Sequence, residues 1–269
     1  MERKTVIIFI VSSLISLLWI IASYYGYDRI IFLRTLSMER FAQKYLKIPK
    51  INSNNKVVVS LYTSKASLND IKPTINSILD QTARPDLIIV SSNKLVEIPA
   101  SVSKSFVIVQ YHLAKDYDKV SPLLSPLLRE KDADTKIIIL NADSGNIYGP
   151  DLLQVLVEES NEFPDSIIYV KGYNAQKFVD THSKVDNEGT NDIVDINHGV
   201  LVKPKFFKDD VLLTKSINAP NVTLSAYSAD TPKKKIHYKD TFATKPKDED
   251  ENAEKLGAIF YASRLSSFK

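Results

Sequence analysis

The hydrophobic pattern of the chain opens with one long apolar run and continues with short apolar runs separated by polar turns. Residues 5–25 are TVIIFIVSSLISLLWIIASYY, without a charged side chain, and match the roughly twenty residues that span a bilayer. A cleaved signal peptide has a shorter apolar region, about 7–15 residues, before a small-residue cleavage site. The pattern therefore predicts a transmembrane signal-anchor helix over residues 5–25.

The residues around this run predict its orientation. Arg3 and Lys4 precede it, and Trp19 lies towards its far end, where interfacial aromatic residues are common. The arginines that follow the run reduce the difference in positive charge between its two sides. We expect a single-pass type II membrane protein with a cytoplasmic tail at residues 1–4. The remainder would then lie in the secretory pathway (Golgi or ER) or at the cell surface.

Beyond the anchor, the pattern predicts a stem over residues 26–55 and a globular domain over residues 56–269. In that domain, short β-branched runs alternate with patterns of helical period. The predicted strands cover residues 56–62, 87–91, 106–111, 136–141 and 166–170. This alternation predicts an α/β fold with a mostly parallel central sheet and flanking helices. Ligands bind beyond the carboxyl ends of such strands, so we expect the site at the loop 142–146.

The second half of the domain has a weaker pattern. Residues 174–197 are polar and rich in acidic side chains, which predicts an exposed excursion rather than another strand and helix. The apolar pattern resumes at residues 198–202. Short helices are predicted at 204–207 and 221–227, and a late strand at 234–238.

Composition and charge exclude some classes of function. The 269 residues have a formal net charge of only +3, and the lysines are interspersed with acidic residues. This distribution is unlike the one-sided basic surface of a nucleic-acid-binding protein. The chain contains no cysteine, which excludes disulfides, thiol nucleophiles and cysteine zinc sites.

A first block of residues resembles a known family. Val59–Thr63 (VSLYT) is followed by KPTINSIL at residues 72–79, then by Gln81-Thr82 and Pro85-Asp86. This block is similar to the opening strand, helix and turn of glycosyltransferases of the GT-A fold, in particular glycosyltransferase 2-like proteins. The resemblance covers most of residues 57–265 and implies a GT-A-like domain. In the family this opening borders the nucleotide, which places Ser60, Tyr62 and Thr63 on the nucleotide side.

A second block, at residues 136–153, resembles the family's strand and Pro-initiated helix around its metal motif. Where family members carry three consecutive acidic residues (the DXD region), this chain has Asp143-Ser144-Gly145. A divalent cation bridging a diphosphate needs hard oxygen ligands. The resemblance therefore implies that Asp143 contacts the nucleotide and, in an active enzyme, Mn²⁺ or Mg²⁺. The alternative is an ordinary turn residue. His237 is a weaker candidate metal ligand, with a structural histidine as the alternative.

A third block, HGVLVKPKFF at residues 198–207, is similar to the family's segment near the acceptor. It places His198, Gly199 and Lys203 on the acceptor side.

The region after this block departs from the family's pattern. The family's paired aspartates correspond to Pro220 and Asn221, and an asparagine cannot serve as a base at neutral pH. Asn221 and Asp210 remain weak catalytic candidates, the alternative for Asp210 being a solvated helix end. Asn221-Val222-Thr223 is also a sequon for N-glycosylation.

Three functions remain open. The first is a degenerate glycosyltransferase relative, a pseudoenzyme with a regulatory or scaffold role in glycan assembly that positions an active glycosyltransferase partner. The second is an active type II transferase that moves a sugar from a nucleotide sugar to a glycan acceptor. The third is a membrane-anchored α/β binding module that shares only a scaffold, because fold does not imply function. The loss of both acidic motifs favours the first.

Overall fold

The structure, a computed structural model, describes most of the chain up to residue 238: residues 3–24, 26–63, 68–92, 98–105, 108–112, 121–142, 145–181, 191–207 and 220–238. The chain divides into two compact units, Met1–Ser37 and Met38–Lys269.

The first unit contains two helices, α1 (Arg3–Tyr24) and α2 (Tyr27–Thr35). Over Lys4–Tyr24 the mean hydropathy reaches 2.6, and none of that stretch is buried. Within the described part of the chain, this is the one helix long and apolar enough, by length and composition, to cross a membrane. It agrees with the predicted anchor at residues 5–25.

The second unit alternates helices with strands. Its elements are α3 (Met38–Tyr45), β1 (Val57–Thr63), α4 (Leu68–Leu79), β2 (Leu87–Ser92), α5 (Ala100–Ser105), β3 (Ile108–His112), α6 (Ser121–Arg129), β4 (Lys136–Asn141), α7 (Leu152–Glu162), β5 (Ile167–Tyr169), β6 (Gly172–Tyr173), α8 (Ala175–Thr181), β7 (Ile193–Val194), β8 (Val200–Val202), α9 (Pro220–Tyr227) and β9 (Lys233–Lys235). Short 3₁₀ helices occur at Ile196–His198 and Pro204–Phe206.

Seven strands form a mixed sheet in the order β3-β2-β1-β4-β8-β5-β9, and β6 pairs separately with β7. The pairs β1–β2, β2–β3, β1–β4 and β5–β9 are parallel, whereas β8 runs antiparallel to both β4 and β5. All of β1, β2 and β4 is buried, as expected for β-branched runs covered on both faces. The predicted α/β fold with a mostly parallel sheet is therefore confirmed.

Helices pack on opposite faces of this sheet. Ser91 donates a hydrogen bond to Ser125 of α6 at 2.8 Å, and Ser91 is paired with Tyr62 in the sheet. On the other face, the ammonium of Lys136 donates to Asn161 of α7 at 2.5 Å. Tyr62 is also paired with Asn141 of β4, so Ser91 and Asn141 share a face of the sheet. Side chains alternate between faces along a strand, and Lys136 lies five residues before Asn141, so Lys136 and α7 are on the other face.

The amino-terminal limit of the second unit differs from the expected one. The sequence predicts a stem up to residue 55, but the compact unit begins at Met38. Met38, Phe41, Ala42 and Tyr45 of α3 are buried, because their spacing places them on one face of the helix.

The prediction of an exposed excursion at residues 174–197 is wrong for the described part of that segment. It contains α8 and β7, and Phe178, Ile193 and Val194 are buried. Tyr173 and Phe178 contact each other with ring centroids 5.2 Å apart. The acidic side chains make the short apolar pattern of this segment difficult to recognise in the sequence. One of them, Asp192, accepts the Ala175 N–H at the start of α8.

Candidate functional site

The candidate site lies where the strand order reverses. The chain passes from β1 through β2 to β3 on one side of β1, and β4 then pairs on the other side. The carboxyl ends of β1 and β4 meet with Tyr62 opposite Asn141, and Thr63 lies opposite Ser92 of β2. In open α/β sheets, ligands bind in the crevice outside such a switch point.

A buried polar cluster occupies this edge of the sheet. It consists of Asn141, Asn146, Tyr148 and Asn197 and is referred to below as the amide cluster. Nδ2 of Asn141 donates to Oδ1 of Asn197 at 2.6 Å. Nδ2 of Asn146 donates to the carbonyl oxygens of Asn141 at 3.3 Å and of Asn197 at 3.4 Å. The cluster thus joins the end of β4 to the 3₁₀ helix that precedes β8.

Tyr148 lies at the centre of the amide cluster. Its hydroxyl accepts the backbone N–H of Asn141 at 2.9 Å and donates towards the carbonyls of Asn141 at 3.0 Å and Asn197 at 3.2 Å. Burial raises the pKa of Tyr148 well above the ordinary tyrosine value, because the phenolate would lose its solvation. Tyr148 therefore stays neutral and acts as a structural donor and acceptor rather than as a base.

Helix α4 fixes the loop that follows β4. The hydroxyl of Thr74 donates to the carbonyl of Asn146 at 2.7 Å, and the hydroxyl of Ser77 accepts the N–H of Tyr148 at 3.2 Å. Just after α4, the side chain of Gln81 donates to the carbonyl of Gly149 at 2.5 Å and accepts the N–H of Leu153 at 3.1 Å. These hydrogen bonds explain why Thr74 and Ser77, which are polar residues of α4, are buried.

An aspartate and a histidine form a pair beside the amide cluster. Nδ1 of His198 lies 3.2 Å from Oδ2 of Asp195, and Oδ1 of the same carboxylate accepts the N–H of Asn197 at 3.0 Å. Both side chains are mostly buried, with 16% of His198 and 14% of Asp195 exposed. A carboxylate in this position orients the imidazole, an arrangement found in general bases.

The sequence prediction placed His198 on the acceptor side but missed Asp195 as its partner. In the sequence, Asp195 belongs to the acidic segment 174–197, for which the pattern predicts an exposed excursion. The spacing of three residues is itself a signal, since a 3₁₀ turn brings positions i and i+3 together.

Helix α9 holds this segment in place through Asn221. Oδ1 of Asn221 accepts the N–H of Ile196 at 3.0 Å, and the hydroxyl of Ser225 accepts the N–H of Val194 at 3.0 Å. Asn221 is only 3% exposed. The structure therefore places this candidate for catalysis and glycosylation inside the domain, as a support for the 3₁₀ helix.

The predicted nucleotide-side residues have different positions in β1. Tyr62 and Thr63 lie at its carboxyl end. Ser60 lies in the middle of the strand and is fully buried, and its hydroxyl is one of the buried side-chain atoms without a hydrogen-bond partner in the described part of the chain. Asp143 and Asp210 lie outside the described residues.

The predicted acceptor-side residues lie at opposite ends of β8, which runs antiparallel to β4. His198 and Gly199 precede β8 and lie near Asn141, whereas Lys203 follows β8 and lies near Lys136, at the opposite edge of the sheet. The ammonium of Lys203 donates to the carbonyl of Pro164 at 2.5 Å. Burial, followed by the nearby Lys205 ammonium, lowers the pKa of Lys203.

Metal ligands are not clustered among the residues that the structure describes. These residues include no group of three or more histidine, aspartate or glutamate side chains able to hold an ion. His237 is exposed after β9.

Comparison with known proteins gives structural similarity only. No protein-family model matches the sequence, and no curated protein matches it significantly. Among solved structures, the chain is similar to S. aureus TarS, with 12% identity, a TM-score of 0.45 and coverage of 80% of this chain and 44% of that chain. It is also similar to TarS 1-349 in complex with UDP, with 11% identity, a TM-score of 0.46 and coverage of 80% and 72%. The chain thus spans less than half of the first of these chains.

Proposed function

We propose that this chain is a membrane-anchored, GT-A-like glycosyltransferase relative that binds a nucleotide sugar without transferring the sugar efficiently. It would be a type II protein of the secretory pathway or cell surface that positions an active glycosyltransferase or a glycan. The nucleotide would lie across the carboxyl ends of β1 and β4, near Thr63 and Asn141. The observation that carries the proposal is the amide cluster at the point where the strand order reverses.

The chemistry of the amide cluster supports binding more than catalysis. Asparagine side chains donate and accept hydrogen bonds but do not take up a proton at neutral pH. They are also neutral, so they offset little of the charge of a divalent cation. Asn221, which replaces an acidic residue of the family, already accepts a backbone N–H within the fold. Neither acidic motif that the resemblance leads us to expect is complete in this sequence.

The Asp195–His198 pair supports a second candidate function, an active transferase. With the proton on Nδ1, directed to Asp195, Nε2 of His198 would be free to accept a proton from a sugar hydroxyl. The pair lies beside the amide cluster, because Asn197 is bonded to Asn141. In this alternative, Asp143 would hold Mn²⁺ or Mg²⁺ on the diphosphate.

Calorimetric titration of the full chain in detergent with a panel of nucleotide sugars, with and without manganese, tests both candidates. Metal-independent binding without sugar transfer or hydrolysis is expected for the degenerate relative. Manganese-dependent binding that Asp143→Ala abolishes, with turnover that His198→Gln abolishes, would favour the active enzyme. Gln176→Ala, an exposed change on α8, serves as the matched control. A folded chain that binds no nucleotide sugar would contradict both candidates.

A further inference from the structure

The sequon Asn221-Val222-Thr223 lies near the start of α9, and none of it reaches the surface. Each of the residues 221–225 is 3% exposed or less. An α-helix completes a turn in about 3.6 residues, so five consecutive buried residues cover every side of the helix. An N-linked glycan is a bulky group that belongs on a protein surface. This part of α9 has no side from which a glycan could extend into solvent.

The side-chain amide of Asn221 takes part in the hydrogen bonding of the fold. Its Oδ1 accepts the N–H of Ile196 at 3.0 Å, and the backbone carbonyl of Asn221 accepts the hydroxyl of Ser225 at 2.7 Å. The nitrogen that would carry a glycan, Nδ2, belongs to the same amide group as Oδ1. Turning this amide towards solvent would therefore leave the buried N–H of Ile196 without its acceptor, which is costly.

Apolar contacts hold α9 against two parts of the core. Val222 belongs to a cluster with Tyr173, Phe178 and Ile193, and Leu224 belongs to a second cluster with side chains of β4 and β8. Protein interiors are packed about as densely as organic crystals, so these clusters have no room for a sugar ring. The sequon can therefore carry a glycan only when α9 is detached from the core.

We propose that folding of the second unit and N-glycosylation of Asn221 exclude each other, so that the sequon is modified only in chains that have not folded. In the modification, Nδ2 of Asn221 loses a proton and bonds to C1 of the first sugar of a lipid-diphosphate-linked oligosaccharide, and the lipid diphosphate leaves. A modified chain cannot bury Asn221 beside Ile196, so the 3₁₀ helix next to the Asp195–His198 pair loses its support. Glycan attachment thus prevents assembly of the candidate site. The inference rests on the type II orientation of the proposed function, which brings the second unit to the compartment where such glycans are attached.

A second sequon at an exposed position supplies a matched control for the test. Asn54→Thr completes a sequon that begins at Asn52, and both positions are exposed in the segment before β1. The full chain with this substitution is produced in cells that attach N-linked glycans, and chains that resist limited proteolysis are separated from those that do not. Mass spectrometry of both fractions gives the glycan occupancy at Asn52 and at Asn221. Adding Ile193→Asp, which puts a charge into the cluster around Val222, supplies a chain that cannot fold.

We expect the protease-resistant chains to be modified at Asn52 and unmodified at Asn221. Ile193→Asp should raise the occupancy at Asn221 several-fold and leave that at Asn52 unchanged. Protease-resistant chains with a glycan at Asn221 would overturn the inference, and so would Ile193→Asp chains that are modified at Asn52 but not at Asn221. A chain modified at neither position would overturn the proposed orientation, and the inference with it.

Discussion

Nδ2 of Asn141 donates a hydrogen bond to Oδ1 of Asn197 across 2.6 Å, joining two residues that are 56 positions apart in the sequence. The bond links the carboxyl end of β4 to the segment that carries the Asp195–His198 pair. Both asparagines are buried, at 8% and 5% exposure. This bond therefore contributes both to the stability of the domain and to the geometry of the candidate site.

Replacing either asparagine should destabilise the domain by about 1–3 kcal/mol, because a buried polar group loses its partner. In a double-mutant cycle of Asn141→Ala and Asn197→Ala, the second change should cost less than it does alone, with a coupling of about 0.5–3 kcal/mol. Denaturant titration of the full chain in detergent measures these values. Gln176→Ala, at an exposed position, should change the free energy of unfolding by less than about 0.5 kcal/mol. Strict additivity would show that the two side chains act independently.

Gly199→Ala should also destabilise the domain. Gly199 has φ of +105°, and a Cβ atom there would lie 3.3 Å from Leu140 and 3.4 Å from Leu152. Backbone strain of this kind costs of order 1–3 kcal/mol. Gly26→Ala is the comparison, because its φ of +72° lies in the left-handed region that other residues occupy at lower cost and a Cβ atom there would have no heavy atom within 4 Å. Thermal unfolding should show a larger loss for Gly199→Ala, and equal losses would refute this account of Gly199.

Lys203 should make stability depend on pH. Burial lowers the pKa of Lys203, so between that lowered value and the ordinary lysine value of about 10.4 the unfolded chain binds more protons than the folded chain. The contribution of Lys203 to the free energy of unfolding therefore becomes more favourable as the pH rises through that window. The difference in unfolding free energy between the unsubstituted chain and Lys203→Met should increase from pH 7 towards pH 10. Lys131→Met, at an exposed position, should show no such increase, and a flat difference for Lys203→Met would contradict the prediction.

Helix α3 should be part of the folded domain rather than of a stem. Phe41 is 8% exposed, and truncating a buried phenylalanine to alanine costs about 3–5 kcal/mol. Phe41→Ala should lower the midpoint of chemical denaturation, whereas Arg40→Ala, at the exposed neighbouring position, should leave it nearly unchanged. If both variants unfold at the same denaturant concentration as the parent, α3 does not contribute to the core.

Features that depend only on neighbouring residues can be predicted from the amino-acid pattern. The apolar run at residues 5–25 fixes a helix, because its length and lack of charge leave few alternatives. The β-branched runs around Val57–Thr63 and Lys136–Asn141 fix two buried strands, since their local composition differs so clearly from that of their surroundings. The prediction that a site lies after the 136–141 strand follows from a general property of parallel sheets.

Which polar residues contact each other depends on the three-dimensional arrangement of the strands. The antiparallel direction of β8 places His198 near the candidate site and Lys203 at the opposite edge, although only four residues lie between them in the sequence. The pairing of Asn141 with Asn197 and the burial of Asn221 depend in the same way on segments far apart in the sequence. Strand order and direction are set by long-range packing. The periodicity of a single segment does not specify which strands will pair with it.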